Sequence, residues 1–321
     1  MDRPRARFLT LPADRLSARP ETYSFSWPAA PALELLEKSV GRFGLLRPLL
    51  AVEGRGEEEL VLVAGSRRLE MLLRIGVTDV PVRLLEALAP AELWDLLLEE
   101  QLLGGPLNAV EVGLYARKRL ATTGETVEEL ARAVLPRLGL APKAGALEDA
   151  FWAADLPPAF RDRLAQGAFP PQGLRVLVRA PKEDALTLLD LLAGVTPGVN
   201  RFLELARWIF ECAWAEGLTA REWIARQGLR PPGTQAELED LRREVRRRRL
   251  PTVCRWEESF DRDVDSLRLR ERIRISHPPG FEGRLACTLS FASLEELRAA
   301  AEELLGAVDS GRLSPLAKYL E

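Results

Sequence analysis

The spacing of hydrophobic and polar residues divides the chain into three regimes. From residue 1 to 105, short apolar runs alternate with helical stretches. "ARFLTLP" reads as a strand, and "ALELLEKSVGRFG" places Leu36, Val40 and Phe43 on one helical face and stops at Gly44. "PLLAVE" and "EELVLVA" flank "GRGEE", the pattern of a hairpin with a glycine-containing turn. "VLVAGSRRLEMLLRIG" then reads as a strand, a glycine and a helix ending at Gly76. A further strand, "DVPVRLL", and a helix, "AELWDLLLEEQLL", complete an α/β unit of about one domain's length.

From Asn108 onward, helix follows helix. Asn108 with Glu111, Thr126 with Glu129, Thr219 with Glu222 and Thr234 with Glu237 each pair a capping side chain with an acid three residues on. That spacing lets the two side chains satisfy amides at a helix start reciprocally. "PPAFRDRLAQG", "PPQGLRVLVRA" and "KEDALTLLDLLAG" read as short helices punctuated by proline and glycine. The last part changes class again: "RIRISHPPGFEGRLACTLSF" is a hairpin with a wide turn, followed by the helix "SLEELRAAAEELL", capped by Ser293 with Glu296. The expected fold class is α+β multidomain. An α/β domain fills residues 1–105, an all-helical domain 106–250, and a small hairpin-helix module 251–321.

Composition narrows the chemistry. A chain of 321 residues, 47% of them hydrophobic, is long enough for more than one core. Its formal charge of −3 means that nucleic-acid contact would have to come from local patches. Cys212, Cys254 and Cys287 lie far apart without a C-x-x-C pair and read as reduced core residues. His277 is the sole histidine, which excludes multi-histidine metal centres. No apolar run approaches the roughly 18 residues of a membrane span, and "MDRPRARFLT" lacks the apolar segment of a leader, so a cytoplasmic protein is expected. Trp152, Trp208, Trp214 and Trp223 fall on apolar helical faces and are expected to pack in the core rather than stack on bases.

The turn at Gly65 invites two readings. A glycine between strand and helix lets the backbone approach an anion, and the first amides of the helix point at it. Ser66 would add a hydroxyl, and Arg67 and Arg68 charge-assisted bonds. The same arrangement also serves as an ordinary strand-to-helix corner with solvated arginines.

Around that turn, "GRFGLLRPLLAVE", "VAGSRRLEMLLRIGVTDVPVRLL" and "LLEEQLLGGPLNAVEVG" occur in an order and spacing that resembles the N-terminal, sulfiredoxin-like domain of the ParB partition-protein family. There a helix ends at G-x-x-x-P, a strand leads into G-E-R-R, a further strand carries V-P-V, and a helix carries E-N-x-Q-R followed by L-N-P-x-E. "LPPAFRDRLAQGAFPPQGLRVLVRAPKEDALTLLDLL" is similar to the stretch after the family's helix-turn-helix. The resemblance implies a CTP-binding domain joined to a helix-turn-helix domain, in a dimeric clamp on DNA. It also implies nucleoid association and a ParA-type ATPase partner. Carried over by position, Gly44, Leu45, Arg47 and Pro48 would lie beside the nucleotide, with Gly65, Ser66, Arg67 and Arg68 around its phosphates. Glu100 and Gln101 would follow, Glu100 placing Mg²⁺.

The departures bear on turnover. Ser66 stands where the family has an acid, Gln101 where it has asparagine, Gly104 where E-N-x-Q-R has arginine, and Glu70 and Met71 where the turn motif continues with arginine and alanine. Binding with weak or absent hydrolysis is the expectation. If "TVEELARAVLPRLG" opens the helix-turn-helix, the recognition helix falls in "PKAGALEDAFWAA". It offers Lys143, Glu148 and Asp149, and the two acids would repel a phosphate backbone. Arg161, Arg163, Arg175 and Arg179 could hold phosphates or be ordinary surface charge. The six arginines within residues 242–249, Arg246 and Arg247 among them, would clamp DNA, form a solvated helix end, or pair with Glu295, Glu296, Glu302 and Glu303.

Two rival classes remain. One is a degenerate, dimeric scaffold without nucleotide. The other is a small-molecule kinase on the same fold, with Glu99 or Glu100 as catalytic acid. A sulfiredoxin would need a cysteine where Ser66 stands.

Overall fold

The alternating N-terminal pattern folds into a five-stranded mixed sheet covered by helices on both faces. The computed structural model describes residues 6–18, 23–27, 32–54, 60–277 and 283–320. The strands are β1 (Ala6–Pro12), β2 (Leu16–Ala18), β3 (Leu49–Glu53), β4 (Leu60–Ala64) and β5 (Asp79–Leu85), in the order β1-β5-β3-β4-β2. β3 runs antiparallel to β4 and parallel to β5. The expected hairpin thus forms, while its turn at 55–59 lies outside the described residues. β2, parallel to β4, is a strand of three residues, too short to carry a readable period.

Helices α1 (Ala32–Phe43) and α2 (Ser66–Arg74) pack on one face of this sheet, where Val40, Leu69 and Leu72 meet Leu49, Leu62 and Val82. Phe43 departs from expectation. It is 61% exposed beneath the Arg42 guanidinium, because the helix ends there and Gly44, at φ 68°, turns the chain away. Leu36's side chain lies outside the described residues.

Helix α3 (Pro90–Leu102) covers the other face, and its core continues without a break into the helical region. α4 (Ala109–Thr123), α5 (Val127–Val134) and α6 (Ala144–Ala154) supply Tyr115, Leu130 and Leu147 to the same cluster as the sheet's Val52 and Val63. The sequence suggests three domains, whereas the chain divides into two compact units, residues 1–238 and 239–321. The boundary expected at 105/106 therefore falls inside one unit, because sheet and helices share that core.

The capping signatures hold in detail. Asn108, Thr126, Thr219 and Thr234 each accept from the amide of their partner glutamate, which in turn accepts from the capping residue's amide. Further helices in the first unit are α7 (Pro158–Ala165), α8 (Leu174–Val178), α9 (Lys182–Leu191), α10 (Val199–Ala215) and α11 (Ala220–Arg226). Trp223 is buried as expected. Trp214 is not: it stays 47% exposed, stacked on Phe210, with its indole N–H donating to Asp184.

α12 (Gln235–Arg249) leads into the second unit, which holds α13 (Pro251–Ser266), the antiparallel pair β6 (Ile273–Ser276) and β7 (Ala286–Leu289), and α14 (Leu294–Asp309). The hairpin and helix are those expected, and the hairpin turn at 278–282 lies outside the described residues. Ser293 caps α14 by accepting from Glu296 N, but the Glu296 carboxylate accepts from Ala292 N, one residue earlier than a closed box requires. His277 packs edge-on against Trp256 and Phe260, with centroids 4.9 and 5.2 Å away. Cys254 is buried and Cys212 half-buried, but Cys287 is exposed on β7, so only part of the cysteine expectation holds. Among the described residues, no helix is long and apolar enough to cross a membrane.

Candidate functional site

Gly65 adopts φ 101°, ψ 22°, a left-handed conformation that favours glycine. Space imposes the same choice: a Cβ there would lie 2.9 Å from Leu49 Cδ2 and 3.1 Å from Arg68 Nη2. α2 begins immediately after it with no side-chain cap, and the amides that open a helix are the groups an anion can take up. Ser66 and Arg67 stand on this first turn, both half-buried.

Arg68 organises the surroundings. Its Nη1 donates to the carbonyls of Arg47 (3.0 Å) and Pro48 (2.9 Å), and its Nη2 to Glu100 Oε1 (3.3 Å). One guanidinium thereby fastens the 44–48 segment to α2 and α3. Burial lowers the Arg68 pKa, Glu100 opposes that shift, and nearby Arg47 adds to it. Leu45 packs towards the sheet's core, Arg47 is exposed, and Gly44 ends α1 at φ 68°. Gln101, next to Glu100, accepts from Ser26 Oγ at 3.2 Å. Gly44, Leu45, Arg47, Pro48, Gly65, Ser66, Arg67, Arg68, Glu100 and Gln101 thus belong to one neighbourhood joined through Arg68 and the ends of α1, α2 and α3.

The segment 23–27 is a part of this region that the sequence reading overlooked. Tyr23 and Phe25 lay their rings on Trp94, and Phe25 also meets Tyr115 edge-on at 5.1 Å. Trp27 N donates to Glu111, Asn108 Nδ2 donates to Trp27 O, and the Arg161 guanidinium lies 4.1 Å over the Trp27 ring. A signal existed: "YSFSW" alternates aromatic and serine residues with the period of a strand laid on a core.

The acids of α3 are all engaged. Glu92 accepts from Ala89 N at the helix start, Asp95 pairs with Arg119 and Arg137, Glu99 with Arg137, and Glu100 with Arg68. Neither candidate kinase acid is therefore without a cationic partner. The Mg²⁺ implied by the family resemblance does not fit either. Ser66 supplies no carboxylate, and that of Glu100 is shared with Arg68.

The expected recognition helix, α6, buries Leu147, Ala150, Ala153 and Ala154 and leaves Lys143, at its start, and Glu148 exposed. Asp149 is half-buried; burial raises its pKa, opposed by Arg175, whose Nε stands 3.7 Å away. Arg179 is exposed. Arg163 donates to the carbonyls of Leu189, Leu192 and Ala193 and lies over Phe169, so its guanidinium caps the end of α9.

In the second unit, Arg246 forms a two-pronged pair with Glu257 (2.6 and 2.7 Å) and Arg247 pairs with Glu258. Arg242, Arg243 and Arg248 pair with Glu239, Asp240 and Glu244. The partners expected on α14 are engaged elsewhere: Glu296 with Arg272, Glu302 with Arg298 and Glu303 with Arg270. Chain order explains this. α13 follows α12 directly at Pro251, which brings Glu257 and Glu258 back along the arginine run.

Among solved structures, the chain is similar to ParB proteins. The C-terminally truncated chromosome-partitioning protein ParB from Caulobacter crescentus, complexed to the centromeric parS site, matches at 21% identity over 62% of this chain and 98% of that one, with a TM-score of 0.38. The same protein complexed with CTP-γ-S matches at 22% identity over 56% and 98%, with a TM-score of 0.28. A pNOB8-like ParB N domain matches at 17% identity over 76% and 99%, with a TM-score of 0.41. No family model and no curated protein matches the chain.

Proposed function

We propose that the chain is a divergent ParB-type partition protein that binds CTP at the Gly65 turn and DNA through its helical part. The observation that carries the reading is the Arg68 guanidinium. It joins the carbonyls of Arg47 and Pro48, the helix after Gly65, and Glu100, three segments far apart in sequence that the family pattern assigns to one nucleotide. In this reading the α2 amides, Ser66 and Arg67 face the phosphates, and residues 44–48 the nucleoside. With Ser66 in place of an acid and Glu100 paired, the site suits binding better than turnover. Lys143, Arg175, Arg179 and Arg161 flank the DNA face, while Arg163, Arg246 and Arg247 first serve the fold through the partners described above.

A second copy completes the assembly. Leu294, Leu305 and Val308 lie on one side of α14 by helical spacing and are 80%, 62% and 55% exposed, an apolar face suited to a homodimer. A ParA-type ATPase and association with the nucleoid belong to the same proposal.

Thermal unfolding with CTP, ATP, GTP or no nucleotide tests it, because a ligand bound only to the native state raises its stability. Selective stabilisation by CTP, lost in Arg67→Ala, is the expected result. No response to any nucleotide at millimolar concentration would leave the scaffold reading, which the internal pairing of Arg246 and Arg247 favours.

A further inference from the structure

We infer that the Gly65 turn holds its polyphosphate through arginines and backbone amides alone, without a divalent metal ion; this rests on the nucleotide-binding reading above. The ligand class is a nucleoside di- or triphosphate whose oxyanions are not already coordinated.

The inference follows from how charge is distributed around the turn. Mg²⁺ takes only oxygen ligands in near-octahedral geometry and is commonly anchored by one or two carboxylates together with phosphate oxygens. α3 carries four acids, Glu92, Asp95, Glu99 and Glu100, and the first three are engaged at the helix start or by Arg119 and Arg137. Glu100 alone is joined to the turn, and its Oε1 already accepts from Arg68. A dication at that carboxylate would sit against the guanidinium bonded to the same group. Arg68 cannot withdraw without giving up its bonds to the Arg47 and Pro48 carbonyls, which fasten the 44–48 segment. Ser66 adds a hydroxyl and no charge.

The cations are sufficient without a metal. Arg47 and Arg67 lie on the two segments that meet at the turn, Arg68 adds its charge between them while its donors stay on Arg47, Pro48 and Glu100, and the start of α2 adds the positive end of a helix of nine residues. Glu100 has a different task here: it holds Arg68 in place and so fixes the 44–48 segment against α2. It acts as a positioning residue.

The test is binding of CTP to the full chain by calorimetry and thermal unfolding, in EDTA and in excess MgCl₂, with wild type and Glu100→Gln. Glutamine keeps an acceptor for Arg68 and removes the charge. Dissociation constants in the two buffers should agree within about threefold, and Glu100→Gln should bind CTP as tightly or up to about tenfold more tightly. Binding that appears only with MgCl₂, or that falls more than about tenfold in Glu100→Gln in MgCl₂ but not in EDTA, would overturn this inference and leave nucleotide binding intact. No binding in either buffer would overturn both.

Discussion

Arg119 and Asp95 meet at 2.7 Å across α4 and α3, with the Arg119 side chain only 3% exposed. The same guanidinium donates two bonds to Glu125 (2.7 and 2.9 Å) and one to the Tyr115 hydroxyl (3.0 Å), which in turn donates to Trp94 O. Arg137 reaches Asp95 and Glu99 from the far side. One buried cation thus ties α3, α4 and the start of α5, the stretch where sheet and helices share a core. Removing a buried guanidinium whose hydrogen bonds run to partly exposed carboxylates costs about 1.5–3 kcal/mol. Arg119→Ala should lower the urea-unfolding free energy by that amount, and a loss below about 1 kcal/mol would show that the cluster is dispensable.

The same cluster sets an acid limit. Hydrogen bonds from Arg119 hold the Glu125 carboxyl below its ordinary range, with burial opposing and Thr123 assisting. A depressed native pKa means that the unfolded chain binds the proton more readily. The stabilisation is therefore present above the unfolded value, about 4.3, and is lost as pH falls through the lower folded value. Midpoints measured from pH 6 down to pH 3 should fall more steeply in wild type than in Glu125→Gln, which starts lower at neutral pH. Parallel curves would remove Glu125 from the acid response.

Gly113 sits in the middle of α4, where glycine costs about 1 kcal/mol relative to alanine. The packing explains it. A Cβ at this position would lie 2.1 Å from Ala150 O on α6 and 2.9 Å from Ala154 Cβ, so the backbones of α4 and α6 touch there. Gly113→Ala should destabilise by about 1–3 kcal/mol despite its better helix propensity, because two helices must part. A midpoint at or above wild type would mean that α6 is not seated against α4.

Much of this architecture was legible because local rules and tertiary packing agree. The strand ending at Leu85, the helix beginning after Gly65 and the reciprocal caps at Asn108 and Thr126 each need only a few neighbouring residues to form. What escaped reading depends on distant partners. β2 exists because Leu16–Ala18 finds β4 to pair with, and segment 23–27 packs on Trp94, Tyr115 and Asn108, all far away in sequence. At the turn, the glycine and its arginines were visible in the sequence, but their division of labour was not. Only the fold shows that Arg68 spends its donors on Arg47, Pro48 and Glu100. The partners of the arginine run near residue 246 were hidden in the same way, since charge density in sequence does not reveal the acids of α13 beside it.

The proposed DNA contact of α6 can be tested through Glu148. That residue is exposed on α6, the helix that follows Lys143 and that the sequence pattern puts forward as the recognition helix. If α6 faces DNA, Glu148 opposes a phosphate, and reversing its sign converts repulsion into a contact. Each phosphate neutralised releases counterions and adds about 0.9 to the slope of log affinity against log salt. Glu148→Lys should therefore tighten binding to random duplex DNA and steepen that slope by about one unit, with Glu148→Gln in between. The change should appear by fluorescence anisotropy across roughly 50 to 200 mM salt, where such contacts are strongest. A slope identical in all three proteins would place α6 away from the duplex. The DNA face would then have to be sought at Arg175 and Arg179, whose charges stand on and just after α8.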